Sequence, residues 1–407
     1  MSKRIALLAV AVTVVAGLAV SAATASSKKP VKKQSSNLLV GINDEAFSLY
    51  GDPNFAFATL KSLNTQVLRV NLYWGGTKWA VAKSRPADPN DPGDPALDWT
   101  IYDRLVRYAT QYNIKVVFSI LFTPGWANGN QARTVPPTNY KDLQNFAYTA
   151  AERYSGLWTP PPWQQDPSNP TTKLPLPKVS FWTAWNEPNN PIWLTPQYKR
   201  VGKTWRVESA FNYAKICNAV MAGVHSPFLG PLPDEHVACG VTGPKGNDAP
   251  GTSRASVDPL TFLTAAHKYG MKDFDVYAHH PYPDIGAAES PTYVPKGNFK
   301  RRVQLGNINT LLKLVTQYYG PKHLWITEYG YQTNPPDKAF GVTYAQQAQY
   351  LTQSYAIARK NPRIDMMLWF LVRDEPNVAA GWQSGLSTAI GKHKPAWNAF
   401  LAVPRGS

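Results

Sequence analysis

Val179-Ser180-Phe181-Trp182-Thr183-Ala184-Trp185 is an almost unbroken apolar run that stops at Asn186-Glu187-Pro188-Asn189. A short run of this kind, rich in aromatic residues, suits a strand buried on both faces of a parallel sheet. It predicts a strand over 179–186 with a carboxylate at its carboxyl end. A second run, His323-Leu324-Trp325-Ile326, ends the same way in Thr327-Glu328-Tyr329-Gly330. Working outward from these two, further apolar runs occur at 38–42, 67–71, 115–120, 236–241, 274–279 and 365–371. Helical periodicity separates them. Residues 99–109 place apolar side chains at i, i+3 and i+4 behind Asp98 as a candidate N-cap, and Asn139 is a candidate cap for a helix to about 154. Further helices are predicted over 208–225, 259–268, 303–318, 344–360 and 395–401, with Asp258-Pro259 as a cap followed by proline. Eight strands alternating with helices predict one α/β domain, a single (β/α)8 TIM barrel.

The ends and the composition set the context. Lys3 and Arg4 precede an apolar stretch over 5–20, and Ala23-Thr24-Ala25 follows. Residues 1–25 therefore read as an export signal, 26–36 as a basic polar linker and 37–407 as the barrel, which is expected to be secreted. No other stretch is long and apolar enough to cross a bilayer, so no stable membrane insertion is expected, and one barrel is expected to act as a monomer. The 14 Trp, 21 Tyr and 15 Phe exceed what a core needs, and a sugar-binding cleft would use the surplus. The formal charge of +16 suits an acidic partner, such as an anionic cell wall or a uronate-bearing polysaccharide, or simply solubility. Nucleic acid is not expected, because no binding motif or concentrated basic face accompanies the charge. Cys217 and Cys239 leave a disulfide and two buried thiols both open, and a Cys-based metal site lacks a second pair.

Two carboxyl groups at the carboxyl ends of two barrel strands would face one cavity. Cleavage of a glycosidic bond asks for that pair: one carboxyl arrives protonated, and the other arrives ionised to attack or stabilise the sugar cation. The segment ending in Trp185-Asn186-Glu187-Pro188-Asn189 resembles the fourth-strand motif of clan A glycoside hydrolases, and the segment around Glu328 resembles their seventh-strand nucleophile. Together with His280-Pro281-Tyr282, the motif is most similar to families 39 and 5. The resemblance implies a retaining mechanism with Glu187 as general acid/base and Glu328 as nucleophile. It also implies that Asn186 binds the sugar 2-hydroxyl, that Arg69 supports the nucleophile and that Tyr282 bonds to it. His280 would then line the site, and Trp369 would floor the subsite at the cleavage point.

Other positions follow from the strand ends. Trp74, Trp126 and Trp193 each lie beyond one and are candidates for neighbouring subsites, with Trp79 and Trp382 further out. His279 points to the other side of its strand and is read as structural. No cofactor is expected, and no metal, because adjacent histidines on an extended backbone do not readily share one ion. A transglycosylase using the same carboxylates, or a carbohydrate-binding barrel without catalysis, would share most of these features. The glycan is chosen by the loops over 75–98, 189–204, 242–257 and 281–299, which carry no readable code; the substrate is a polysaccharide or oligosaccharide.

Overall fold

The computed structural model describes residues 37–226, 234–284 and 289–406, which belong to one compact unit, Gln34–Ser407. The export signal and the linker therefore lie outside the described residues. Eight parallel strands close into a barrel. They are β1 (Leu39–Asn43), β2 (Val67–Tyr73), β3 (Lys115–Leu121), β4 (Phe181–Ala184), β7 (His236–Thr242), β8 (Val276–His279), β9 (His323–Tyr329) and β10 (Ile364–Phe370). A two-stranded antiparallel hairpin, β5 (Tyr198–Val201) with β6 (Thr204–Val207), lies in the connection after β4. The seam of the barrel is the pairing of β1 with β10, which sets Leu39 against Met366 and Asn43 against Phe370.

The strands are buried on both faces, as their apolar runs predict. A small cluster, including Val67, Val117, Ala238, Val276, Trp325, Met366 and Leu368 with Leu39 and Phe181 against it, draws on all eight strands and so fills the lumen. The alternate positions face outward into the larger core beneath the helices. Those helices are α1 (Glu45–Ser48), α2 (Pro53–Ser62), α3 (Thr100–Gln111), α4 (Gly125–Asn128), α5 (Tyr140–Arg153), α6 (Glu208–Val224), α7 (Pro259–Lys268), α8 (Ile308–Tyr319), α9 (Tyr344–Arg359) and α10 (Pro395–Leu401). Among the described residues no helix is long and apolar enough to cross a membrane.

Local chemistry sets most helix starts, with some departures from expectation. Asn139 caps α5 by accepting the Lys141 N–H at 3.0 Å, and Thr343 with Gln346 forms a capping box on α9. Asp98 does not occupy the cap of α3, which falls to Trp99; its carboxylate instead accepts the Thr100 N–H and pairs with Lys83. Asp258 holds the cap position of α7, but its carboxylate accepts the Gly246 N–H at 2.6 Å. α8 begins later than residue 303 because Gln304 and Asn307 form a capping box around a single 3-10 turn, Leu305–Asn307. α2 and the hairpin were not anticipated. α2 buries only Ala56, Phe57 and Leu60, too narrow a stripe to stand out, and the hairpin is exposed along most of its length. Cys217 of α6 and Cys239 of β7 form a disulfide across 22 residues, a loop whose closure contributes about 3 kcal/mol by chain entropy.

Candidate active site

The backbone leaves β4 abruptly. Trp185 has φ 71° and Glu187 φ 34°, both in the left-handed region that side-chain-bearing residues avoid. Each such residue costs about 1–3 kcal/mol and persists only where its surroundings over-determine it. Here they do. The Trp185 N–H donates to Ile120 O at 2.9 Å, the Glu187 N–H to Val241 O at 2.8 Å, and the Trp185 indole to Trp193 O at 2.9 Å. Buried Asn189 accepts the Gly243 N–H at 2.8 Å and donates to Val257 O at 2.9 Å, tying this turn to the loop after β7. A Cβ on Gly243 would stand 3.0 Å from the Glu187 carboxyl, a tight contact that would push the carboxyl aside by a few tenths of an ångström.

Arg69, 1% exposed on β2, organises the centre. Its Nη1 is bonded to Glu328 Oε1, its Nη2 donates to Asn186 Oδ1 at 2.7 Å, and its Nε donates to Ser119 Oγ at 2.7 Å. A buried guanidinium needs such a partner set, which is why an arginine can sit inside an apolar strand. Tyr282 Oη donates to Glu328 Oε2 at 3.2 Å. His280 is fully buried, with Nδ1 3.0 Å from Glu187 Oε1 and Nε2 2.9 Å from Thr327 Oγ1. The Glu187 and Glu328 side chains are 14% and 13% exposed, so both still reach the mouth of the barrel. Glu187, His280 and Glu328 offer atoms that all lie within 4.8 Å of one another, and among the described residues no other His, Cys, Asp or Glu trio converges so. These atoms already bond one another and their neighbours: Glu328 is bonded by Arg69 and Tyr282, and Glu187 lies against His280.

The electrostatics separate the groups. Burial alone would raise the Glu328 carboxyl, but the charges of His280 and Arg69 and the bonds from Arg69 and Tyr282 outweigh it and hold it below the ordinary glutamate range. Burial and the two carboxylates push the Tyr282 phenol far up, so it remains a donor. His279 bonds Thr242 Oγ1 and Val303 O, and burial pushes its imidazole down to about 3, so it stays neutral and takes no part in this centre.

The aromatic expectations need correction. Trp369 is not a floor: it is fully buried and its indole donates to Ser384 O at 2.9 Å. Met366 and Leu368 fill the lumen, so alternation turns Trp369 outward and Phe370 inward. Phe370 meets Tyr282 edge-on, and both meet Trp382 at 5.6 Å, whose ring is 42% exposed. Trp74 is likewise core, 1% exposed and packed on Phe146 and Trp126. Trp74 and half-buried Trp126, under the Arg85 guanidinium, line a separate cavity of about 250 Å³ that includes neither Glu187 nor Glu328. Trp193 stacks on Phe122, and Phe122 on Tyr73, forming a row along the strand ends. Asn189, Phe122, Tyr73 and Phe370 were missed, and Phe370 carried no signal of its own, because an all-apolar strand does not say which of its faces lines the lumen.

No protein-family model matches the chain, and neither does any curated protein. Solved structures match it in fold. A family 39 glycoside hydrolase from the gut symbiont Bacteroides cellulosilyticus WH2 superposes with TM-score 0.60 at 17% identity, over 91% of this chain and 64% of its own. A glucosidase from Croceicoccus marinus gives 0.61 at 13% identity, over 92% of this chain and 66% of its own. Both alignments take in under two thirds of those neighbours' length. A fungal β-1,4-galactanase gives 0.53 at 12% identity, over 89% of this chain and 99% of its own. At these identities the likeness is one of fold, the closed (β/α)8 barrel.

Proposed function

We propose that the chain is a retaining glycoside hydrolase of clan A type, with Glu187 as general acid/base and Glu328 as nucleophile. The observation that carries this is the proximity of the pair: one oxygen of Glu187 lies within 4.8 Å of one of Glu328 at the ends of β4 and β9, with Glu328 held ionised by Arg69 and Tyr282. Retaining enzymes hold their carboxyls at about 5–5.5 Å, whereas inverting ones leave about 6.5–9.5 Å for a water. In the first step Glu328 attacks the anomeric carbon as the glycosidic C–O bond breaks, and Glu187 gives its proton to the departing oxygen. In the second, Glu187 takes a proton from water, and the new hydroxyl displaces Glu328 from that carbon. Asn186, fixed by Arg69, is placed to bond the sugar 2-hydroxyl throughout. Residues 1–25 export the chain in this reading, and the disulfide suits an oxidising compartment.

The test is a panel of β-glucans, mannan, xylan, arabinan and an acidic polysaccharide, with reducing ends counted and the first-formed anomer followed by NMR. A retained anomer, lost in Glu328→Gln, supports the reading; an inverted product sinks it. Transfer to an added sugar instead of water would show a transglycosylase using the same intermediate.

The two tryptophans near β10 should separate in the same assays. Trp369→Ala is expected to cost about 3–5 kcal/mol of stability through the cavity it leaves. Trp382→Ala should leave the melting temperature unchanged and raise KM by up to about tenfold, the worth of one stacking contact. A thermal melt and a Michaelis curve for each variant decide it, and the opposite pattern would return the floor to Trp369.

A further inference from the structure

Glu45 is a third carboxylate at the mouth of the barrel, and the mechanism above leaves it unused. It follows β1, whose register sets Asn43 beside Arg69, so Glu45 stands two residues further along, next to Asn71. One of its oxygens accepts the Asn71 backbone N–H at 2.5 Å; the other accepts the hydroxyls of Tyr73 at 2.8 Å and Tyr50 at 3.4 Å. A carboxylate offers about four acceptor positions, so at least one stays open. Asn71 Oδ1 is buried and has no hydrogen-bond partner, while its Nδ2 reaches Tyr73 Oη at 3.4 Å. Side chains alternate along β2, which puts Asn71 on the same lumen face as Arg69, and Arg69 holds Glu328. Two polar groups with spare acceptor capacity therefore stand one pleat above the Arg69–Glu328 ion pair.

We propose that Glu45 and Asn71 bind hydroxyl groups of the sugar held against Glu328, and that Glu45 makes this subsite one for neutral sugars rather than uronates. The inference rests on Glu328 being the nucleophile. Sugar hydroxyls are donors, and donors are what these acceptors lack. A uronate carboxylate in the same place would face a like charge. The neighbourhood is already crowded: burial lifts the Glu45 carboxyl above its ordinary range and the charge of Glu328 adds to the rise, against the bonds from Asn71 and Tyr73 and the charge of Arg69. The formal charge of +16 describes the whole chain, so a basic exterior and a subsite that refuses acids coexist.

The experiment compares the full chain and its Glu45→Gln variant on matched aryl glycosides, glucoside against glucuronide and galactoside against galacturonide. The native protein should prefer the neutral member by about 100-fold or more in kcat/KM, the scale of one like-charge contact. Glu45→Gln should lower the neutral rates and shrink that ratio at least about tenfold, with the melting temperature held. Equal or better use of the uronates by the native protein, or an unchanged ratio in folded Glu45→Gln, would overturn the proposal. If no aryl glycoside turns over, the Glu328→Gln protein is run in affinity gels of neutral and acidic glycan. Retardation by the neutral gel that weakens in the double variant with Glu45→Gln supports it, and retardation only by the acidic gel, or by neither, overturns it. Glu328→Gln assayed in parallel separates the two claims: turnover surviving there removes the nucleophile reading whatever the ratio shows.

Discussion

Glu328→Gln is expected to reduce kcat by about 10⁴-fold or more, the scale on which removing a covalent nucleophile acts. The amide oxygen can still accept from Arg69 while its NH2 donates to the Tyr282 hydroxyl oxygen, so the buried guanidinium keeps a partner and the fold should hold. Glu328→Ala should be worse for stability, by about 3–5 kcal/mol, because it leaves that buried charge unpaired. It also opens space for a small anion. Azide added to the alanine variant should restore turnover and give a glycosyl azide of inverted configuration, since azide attacks from the face the carboxylate vacated. Residual activity within tenfold of the native value, or no rescue by azide in a folded variant, would count against the assignment. Arg69→Met adds a pH arm. Glu328 sits below the ordinary glutamate range partly through Arg69. Losing that cation raises the carboxyl, so the acid limb of the kcat/KM profile should move to higher pH.

Glu187→Ala should act differently, and the difference is diagnostic. For a glycan, whose leaving alcohol needs a proton, the loss in kcat/KM is expected to be about 10²–10⁴-fold. For a dinitrophenyl glycoside, whose leaving group departs unassisted, the first step should survive while the second, which needs Glu187 as a base, slows. The covalent glycosyl-enzyme then accumulates, and mass spectrometry of a peptic digest should find the sugar on the peptide carrying Glu328. Azide accelerates release here with retained configuration, the mirror of its effect at Glu328. Equal losses on both substrates would mean that Glu187 positions the sugar without moving a proton.

The barrel was legible because strands buried on both faces must be apolar at nearly every position, and the shortness of these runs and their alternation with helical periodicity set them apart from buried helices. The strands' upper boundaries were not. The strand expected over 179–186 is Phe181–Ala184, because the backbone departs at Trp185 into left-handed geometry, which depends on hydrogen bonds from neighbouring strands. The candidate centre around Glu187, Glu328, Arg69 and Asn186 could be picked out because a polar side chain interrupting or ending an apolar run is conspicuous. Trp369 shows the opposite case. Met366-Met367-Leu368-Trp369-Phe370 is apolar at every position, so the run marks a strand without showing which alternate positions face the lumen, and one step exchanges lumen for outer core. Glu45 and Asn71 gave no signal, since polar residues at a strand end look like any loop.

The seam between β1 and β10 also bears on how the chain is made. About 320 residues separate the two strands, and at roughly 5–20 residues per second synthesis needs about 15–60 s to pass from one to the other. Throughout that interval the nascent sheet is open, and its two outer strands are templates for pairing with other chains. Glu187 and Glu328 stand on strands with two others between them, so no early fragment holds the pair in place. Competence for chemistry and protection from aggregation thus arrive in one event, the closure of the ring, and until then the growing chain is a client for whatever holds polypeptides unfolded.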